Sequence, residues 1–118
     1  MATIEQLAEA ALNGDSLRLR GLTQDLLREY PSLTDYPKPE TDDSNILAAA
    51  ASLLELFSFR LRQAPPVWTK DIGALSEPIY LLKAAASMKR LRVLCETQAP
   101  EPLRKRGLYA PPNFLEFA

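Results

Sequence analysis

The sequence predicts an all-α protein, a compact single domain of four to five helices around a central apolar helix at about 44–62, with a proline-rich apolar C-terminal tail. The strongly patterned segments repeat apolar residues with the 3.6-residue period of a helix, and none alternates over the length of a strand. The central stretch is apolar on nearly every side, which is typical of a helix surrounded by other elements. The chain has 118 residues and is 47% hydrophobic, enough for one core. We therefore expect one domain, 1–118, without a sheet.

Residues 1–30 carry the signals of a helical hairpin. Thr3 begins a capping-box pattern, and the apolar residues after it follow one helical face. Gly14 can end this helix in a left-handed conformation, and Asp15 or Ser16 can cap a second helix. We expect two amphipathic helices joined by a tight turn.

A loop and the central helix come next. Residues 31–43 contain three prolines and little apolar periodicity, which indicates a loop. The acidic residues at its end and Ser44 are placed to cap the central helix, 44–62, and to offset its positive end. We expect one narrow stripe of this helix to reach water, formed by Ser52, Glu55, Ser58 and Arg62.

The segments that follow are predicted to be a loop and then helix. The loop, 63–76, contains Trp68, which either packs on the core or serves as an exposed binding contact. A helix-start pattern with a proline in the first turn opens 77–98, which we expect to be helical, either continuous or bent near its middle. In the second half of that segment, we expect Met88, Leu91, Leu94 and Cys95 to face inward and Lys89, Arg90 and Arg92 to face outward.

The C-terminal tail, 99–118, is rich in proline but also in large apolar residues. One short turn is expected at 102–106, ended by Gly107. Disordered tails are poor in aromatic residues, so this tail should dock either on its own core or on a partner. The residues that support docking are Leu108, Tyr109, Phe114, Leu115 and Phe117.

Composition argues against most catalytic and metal-binding chemistry. There is one cysteine and no histidine, so a disulfide framework, a zinc cluster or a serine–histidine–aspartate triad cannot form within one chain. No phosphate-binding loop motif is present, and the acids at 40–43 lack the spacing of a calcium loop. We therefore predict no enzyme activity, no cofactor and no metal. Without a basic leader or a long apolar run, a cytoplasmic location is expected.

Charge is distributed unevenly along the chain. Residues 1–43 carry nine acidic and four basic side chains, whereas 89–106 carries six basic and two acidic ones. These groups either are solvated faces that attract one another within the fold, or include a basic patch that meets a partner. The candidate partner-binding residues are Trp68, Lys89, Arg90, Arg92, Arg104, Lys105, Arg106, Tyr109, Phe114 and Phe117.

Five sequence blocks carry a resemblance that spans nearly the whole chain. They are TDD at 41–43, PPVWT at 65–69, EPIYLLKAA at 77–85, MKRLRVLC at 88–95 and APEPLRKRGLYAPPNFLEFA at 99–118. In these blocks the chain resembles a group of short uncharacterised bacterial proteins, often encoded beside nucleotidyltransferase-like genes. The resemblance implies the antitoxin or accessory half of a two-gene module. It implies no catalytic residues.

Three functional hypotheses remain at this point. The first is a small protein–protein interaction module, an antitoxin or accessory subunit that masks a partner enzyme with its tail, its Trp68 loop or its basic helix. The alternative is a helical DNA-binding transcriptional regulator that uses 76–98, although a net charge of −1 argues against a dominant phosphate-binding surface. A stand-alone enzyme is the third.

Overall fold

The computed structural model describes residues 2–115, and this part of the chain is mostly helical, as predicted. Helices α1 (Ile4–Leu12) and α2 (Ser16–Glu29) pack against each other. Thr3 caps α1 through a complete capping box, in which its hydroxyl accepts a hydrogen bond from the Gln6 amide at 3.2 Å. Gly14 has a φ of +68°, which reverses the chain between the two helices at little steric cost.

Helix α3 (Ser44–Arg60) is buried along most of its length. Asp43 caps it by accepting hydrogen bonds from the amides of Asn45 and Ile46, at 2.9 and 3.3 Å. Every residue of 48–58 is buried, against α1 on one side and C-terminal segments on another. Four consecutive alanines at 48–51 leave little side-chain bulk, and several buried alanines of α1 lie in the same core cluster, which favours close approach of the two helices.

The expected solvent-facing stripe of α3 is wrong. Ser52, Glu55 and Ser58 are all buried, because the C-terminal part of the chain covers this side of the helix and supplies a cation for the carboxylate. The Ser58 hydroxyl has no hydrogen-bond partner among residues 2–115. The helix also ends two residues earlier than expected, since Arg62 adopts a left-handed φ of 57°.

The segment 77–98 is helical only in part, so the expectation of one helical segment is also wrong. Strand β1 (Ile79–Tyr80) pairs in parallel with strand β2 (Leu108–Tyr109), and Tyr80 lies opposite Tyr109. A 3-10 turn (Lys83–Ala86) and helix α4 (Lys89–Gln98) follow. The amides of Ile79 and Leu81 donate to carbonyls of the C-terminal segment, so a distant partner overrides the local helical pattern.

The remaining elements close the fold around α3. A 3-10 turn (Val67–Asp71) and the short helix α5 (Glu101–Arg104) both contact α3. Gly107, with a φ of +81°, turns the chain from α5 into β2. Within residues 2–115, no helix has both the length and the apolar character needed to cross a membrane.

The C-terminal segment packs back on the domain as far as it is described. Phe114 and Leu115 are partly buried against the core, and the Arg60 guanidinium donates a hydrogen bond to the Leu115 carbonyl. Leu108, another residue that predicted docking, is fully buried in the core, so three of these residues bring the tail into contact with its own domain. Phe117, another of the five residues that predicted docking, lies outside the described residues.

Candidate interaction surface

The sequence-predicted residues separate into a buried group and an exposed group. Arg106 belongs to the first, because only 1% of its surface is accessible. Its guanidinium forms a two-pronged ion pair with Glu55, with Nη1–Oε1 at 2.7 Å and Nη2–Oε2 at 3.1 Å. An arginine held in this way has no surface to offer a partner. Its role is to fasten α5 to α3.

The donors of Arg106 are fully used inside the fold. Nε donates to the Ile72 carbonyl at 3.0 Å, and the two terminal nitrogens also donate to the carbonyls of Pro102 (3.0 Å) and Thr69 (2.7 Å). A buried charge is tolerated when it is both paired and hydrogen-bonded. One side chain thus joins α3, the 3-10 turn at 67–71 and α5.

The Glu55 carboxylate is kept ionised by its two cationic neighbours. Burial alone would raise its pKa, but the hydrogen bonds from Arg106 and Lys105 outweigh burial, so the pKa of Glu55 is lowered. Lys105 Nζ lies 2.9 Å from Oε1, while about half of the Lys105 side chain stays in water. Lys105 therefore covers the buried pair from outside.

Two aromatic candidates also serve the fold. Trp68 is partly buried against the core, and its indole Nε1 donates to the Tyr36 carbonyl at 2.8 Å. This bond links the loop 63–76 to the loop 31–43. Phe114 packs on the core as described above. These side chains stabilise connections between segments, which is the first of the two roles considered for Trp68.

The exposed candidates lie on and near α4. Lys89, Arg90 and Arg92 all have exposed side chains, as does Arg104, whose Nη1 also donates to the Thr97 carbonyl at 2.9 Å. Three apolar side chains that the sequence did not single out as partner-binding residues are exposed beside them: Met88 at 56%, Val93 at 48% and Leu94 at 40%. Cations and apolar groups thus share the outward face of one short helix.

The inward assignments of Met88 and Leu94 are therefore wrong. Within α4, Cys95 alone is fully buried. Successive helical residues are about 100° apart, so Val93 lies about 200° around the axis from Cys95 and faces away from the fold. The expected register placed the apolar residues at 88, 91, 94 and 95 on one inward face, whether the helix was continuous or bent. The chain instead leaves the helical conformation at β1, and α4 starts independently at Lys89.

Polar and aromatic contacts hold α4 against the small sheet. The Tyr80 hydroxyl donates a hydrogen bond to the Glu96 carboxylate, and this bond, with burial and the charge of Glu96, raises the pKa of Tyr80. The Arg92 guanidinium lies 5.9 Å from the centre of the Tyr80 ring, and Nε donates to the Ala85 carbonyl. The Tyr109 ring packs 5.4 Å from that of Tyr80.

The structure thus brings together two candidates far apart in sequence, Arg92 and Tyr109, around a residue that the sequence analysis overlooked, Tyr80. One sequence feature could have identified Tyr80. Arg92 and Glu96 are four residues apart, so on a helix they form a basic and an acidic side chain on one face that an aromatic hydroxyl can contact. That signal is weak without knowledge of the sheet. On the buried side of α4, burial and the Glu96 charge raise the pKa of the Cys95 thiol, which keeps it protonated and unreactive.

Two surface grooves are lined by residues other than the candidates. A groove of about 440 Å³ lies beside the first turn of α3 and is lined by residues 44–45 and 74–79. Another of about 480 Å³ lies between the start of α1 and residues 36–40. Across 2–115, no cluster of three or more potential metal-ligating acids or cysteines occurs. The face of α4 is therefore the feature for which we consider a binding role.

The chain matches no protein-family model, no curated protein and no solved structure in comparisons of all three kinds.

Proposed function

We propose that this chain is a small cytoplasmic protein–protein interaction module whose outward α4 face contacts the partner. The supporting observation is the exposure of Met88, Val93 and Leu94 next to Lys89 and Arg90. Single exposed apolar residues are common on protein surfaces, but two within α4 and a third at its N-cap make this region a candidate for burial against another protein.

The remaining predicted contacts support the same choice of surface. Arg106 and Trp68 are engaged within the fold, and Phe114 is packed on the core. Of the three routes considered for contacting a partner, the basic helix therefore keeps the most accessible side chains. We favour it over the Trp68 loop and over the described part of the tail.

The resemblance supplies the class of partner. We propose the product of an adjacent nucleotidyltransferase-like gene, which the chain would mask as an antitoxin or would assist as an accessory subunit. A role in binding rather than catalysis is in keeping with a chain that lacks histidine and any motif of known chemistry. No catalytic residue is proposed.

The test uses the full chain with the product of the adjacent gene. Expression of that gene alone should slow growth, co-expression should restore it, and a tagged copy of the chain should co-purify with the product. If the two proteins do not bind each other when both are purified and folded, the proposed function is wrong.

The same preparation tests the regulator alternative. Lys89 and Arg90 could contact phosphates, so the chain is titrated into a duplex of the upstream promoter region in a gel-shift assay. Sequence-selective binding that falls steeply with salt would favour the regulator over the interaction module. We expect only weak, non-selective binding, since Arg106 is buried and Lys105 is paired.

A further inference from the structure

The outward face of α4 combines two exposed aliphatic side chains with two cations. Val93 and Leu94 lie three and four residues after Arg90, on one side of the helix, and Val93 also lies four residues after Lys89. Helices that bind in grooves bury apolar side chains from one face, and α4 offers Val93 and Leu94 for this. The helix has ten residues, a length of about 15 Å. It is long enough for two turns of contact and short enough to enter a cleft.

Positive charge at the start of α4 is not balanced within the helix. Lys89 and Arg90 occupy the first turn, which contains no acidic residue. Cations at this end are disfavoured by the helix dipole, which prefers carboxylates there. Glu96, the acid of α4, lies two turns away and accepts the Tyr80 hydroxyl. An external carboxylate near Lys89 and Arg90 would therefore gain from both side chains and from the dipole.

From these two observations we infer that α4 inserts into an apolar groove of a protein partner whose rim carries carboxylates. The groove buries Val93 and Leu94, and the rim pairs with Lys89 and Arg90. This inference rests on the proposed function and adds the chemistry of the partner's surface.

A protein groove fits this face better than a nucleic acid does. Phosphate-binding helices place cations and polar groups along their contact side, whereas the middle of the α4 face is aliphatic. Val93 and Leu94 would gain nothing from phosphate oxygens but would gain from removal of their surface from water. The basic end then supplies orientation and association rate rather than most of the affinity.

The experiment measures the affinity of the purified chain for the product of the adjacent gene by calorimetry. Three proteins are compared at equal stability, verified by melting temperature. They are the wild type, an apolar variant carrying Val93→Ser and Leu94→Ser, and a charge variant carrying Lys89→Glu and Arg90→Glu. A matched control carries the same charge change at two exposed lysines outside α4, Lys38→Glu and Lys70→Glu.

We expect the apolar variant to bind at least about tenfold more weakly, which corresponds to about 1.4 kcal/mol. The charge variant should also weaken binding, and the Lys38/Lys70 control should not. Raising salt from about 0.1 M to about 1 M shortens the screening length from about 10 Å to about 3 Å, so wild-type affinity should fall several-fold while that of the charge variant should not fall.

Each other outcome overturns a defined part of the inference. Tight wild-type binding that neither variant changes means that another surface binds, while the proposed function stands. If the apolar variant binds more weakly but the wild-type affinity does not depend on salt, the inferred carboxylate rim of the partner is wrong. Failure of the wild type to bind removes the proposed function and this inference together. Binding of nucleic acid through Lys89 and Arg90, unaffected by Val93→Ser and Leu94→Ser, replaces the protein groove with a phosphate surface.

Discussion

Helices α3 and α4 differ in how the fold holds them. In α3, eleven consecutive residues are buried, including a carboxylate that is paired with a buried arginine. In α4, one residue is buried, and the helix is held by a tyrosine hydroxyl, a cation over an aromatic ring and a hydrogen bond to a loop carbonyl. The same chain thus contains a helix built for stability and a helix whose side chains are mostly accessible.

The contrast indicates which surface residues can be substituted without loss of the fold. A substitution on α3 changes packing on several sides at once, because interiors are close-packed and each buried side chain contacts many others. A substitution on the outward face of α4 changes little besides the surface. Measurements that compare the two helices can therefore support or remove the assignment of α3 to folding and α4 to binding.

The largest loss of folding stability is expected when the buried ion pair between Glu55 and Arg106 is broken. Arg106→Leu leaves the Glu55 carboxylate buried with Lys105 as its remaining cation, and loss of one member of such a pair costs about 3 to 5 kcal/mol. The free energy of unfolding in urea measures this cost. Arg104→Leu, two residues away and exposed, is the matched control and should cost less than about 1 kcal/mol.

The double variant Glu55→Leu with Arg106→Leu sharpens the test. It removes both charges, so no carboxylate is left without its arginine. It should be more stable than Arg106→Leu alone, because much of the single-variant cost is the unpaired buried charge. A double variant as unstable as the sum of both single variants would mean that the two side chains do not form a coupled pair.

The next prediction concerns the free energy of unfolding after one side chain is truncated on each helix. Leu54→Ala removes a fully buried side chain from α3 and should lower the free energy of unfolding by about 2 to 5 kcal/mol. Val93→Ala on α4 should change it by no more than about 0.5 kcal/mol. Similar losses for the two variants in chemical denaturation would mean that α4 is packed as tightly as α3.

Acid should weaken the α3 contacts through Glu55. Its pKa is lowered in the folded chain, so the pair adds stability that is fully present above the ordinary value of 4.5 and is lost as the pH falls through the folded pKa. The wild type should lose melting temperature below about pH 4.5 more steeply than Glu55→Gln, which cannot titrate at this position. Parallel melting curves from neutral pH to pH 3 would remove Glu55 as a source of acid sensitivity.

The difference between the two helices also explains which features the sequence could predict. The helix starts at Thr3 and Asp43 were readable because a cap depends on a few neighbouring residues. The pairing of Glu55 with Arg106 was not, since the two are 51 residues apart and no local pattern marks them as partners. Glu55 has the spacing of a solvent-facing stripe, and only the fold shows that Arg106 covers it.

The same reasoning applies to the candidate surface. The cations of α4 were identified from charge alone, because basic residues at helical spacing are visible in the sequence. The apolar half of the surface, Val93 and Leu94, was missed, since an aliphatic residue in a helix is assigned to the core by default. Strand β1 interrupts the helical segment through bonds to the distant Gly107 and Tyr109, which determines where α4 begins and which way it faces.

A small loss of folding stability is expected when the hydrogen bond between Tyr80 and Glu96 is removed. Tyr80→Phe removes the hydroxyl that donates to Glu96 but keeps the ring beside Arg92 and Tyr109. A hydrogen bond contributes only a modest net stability in water, so global stability should fall by less than in Leu54→Ala. Local opening of α4 should become more frequent, since this helix has little other burial.

Cys95 reports that opening directly, because its thiol is fully buried and reacts with a disulfide reagent only when α4 moves away. We expect Tyr80→Phe to raise the labelling rate of Cys95 and to speed amide exchange in α4 but not in α3. Tyr109→Phe is the matched control, the same change on the adjacent ring, and should leave both rates unchanged. If α3 and α4 exchange at the same rate in the wild type and in Tyr80→Phe, then α4 opens only when the whole domain unfolds. The division between a folding helix and a binding helix would then have no basis in their stabilities.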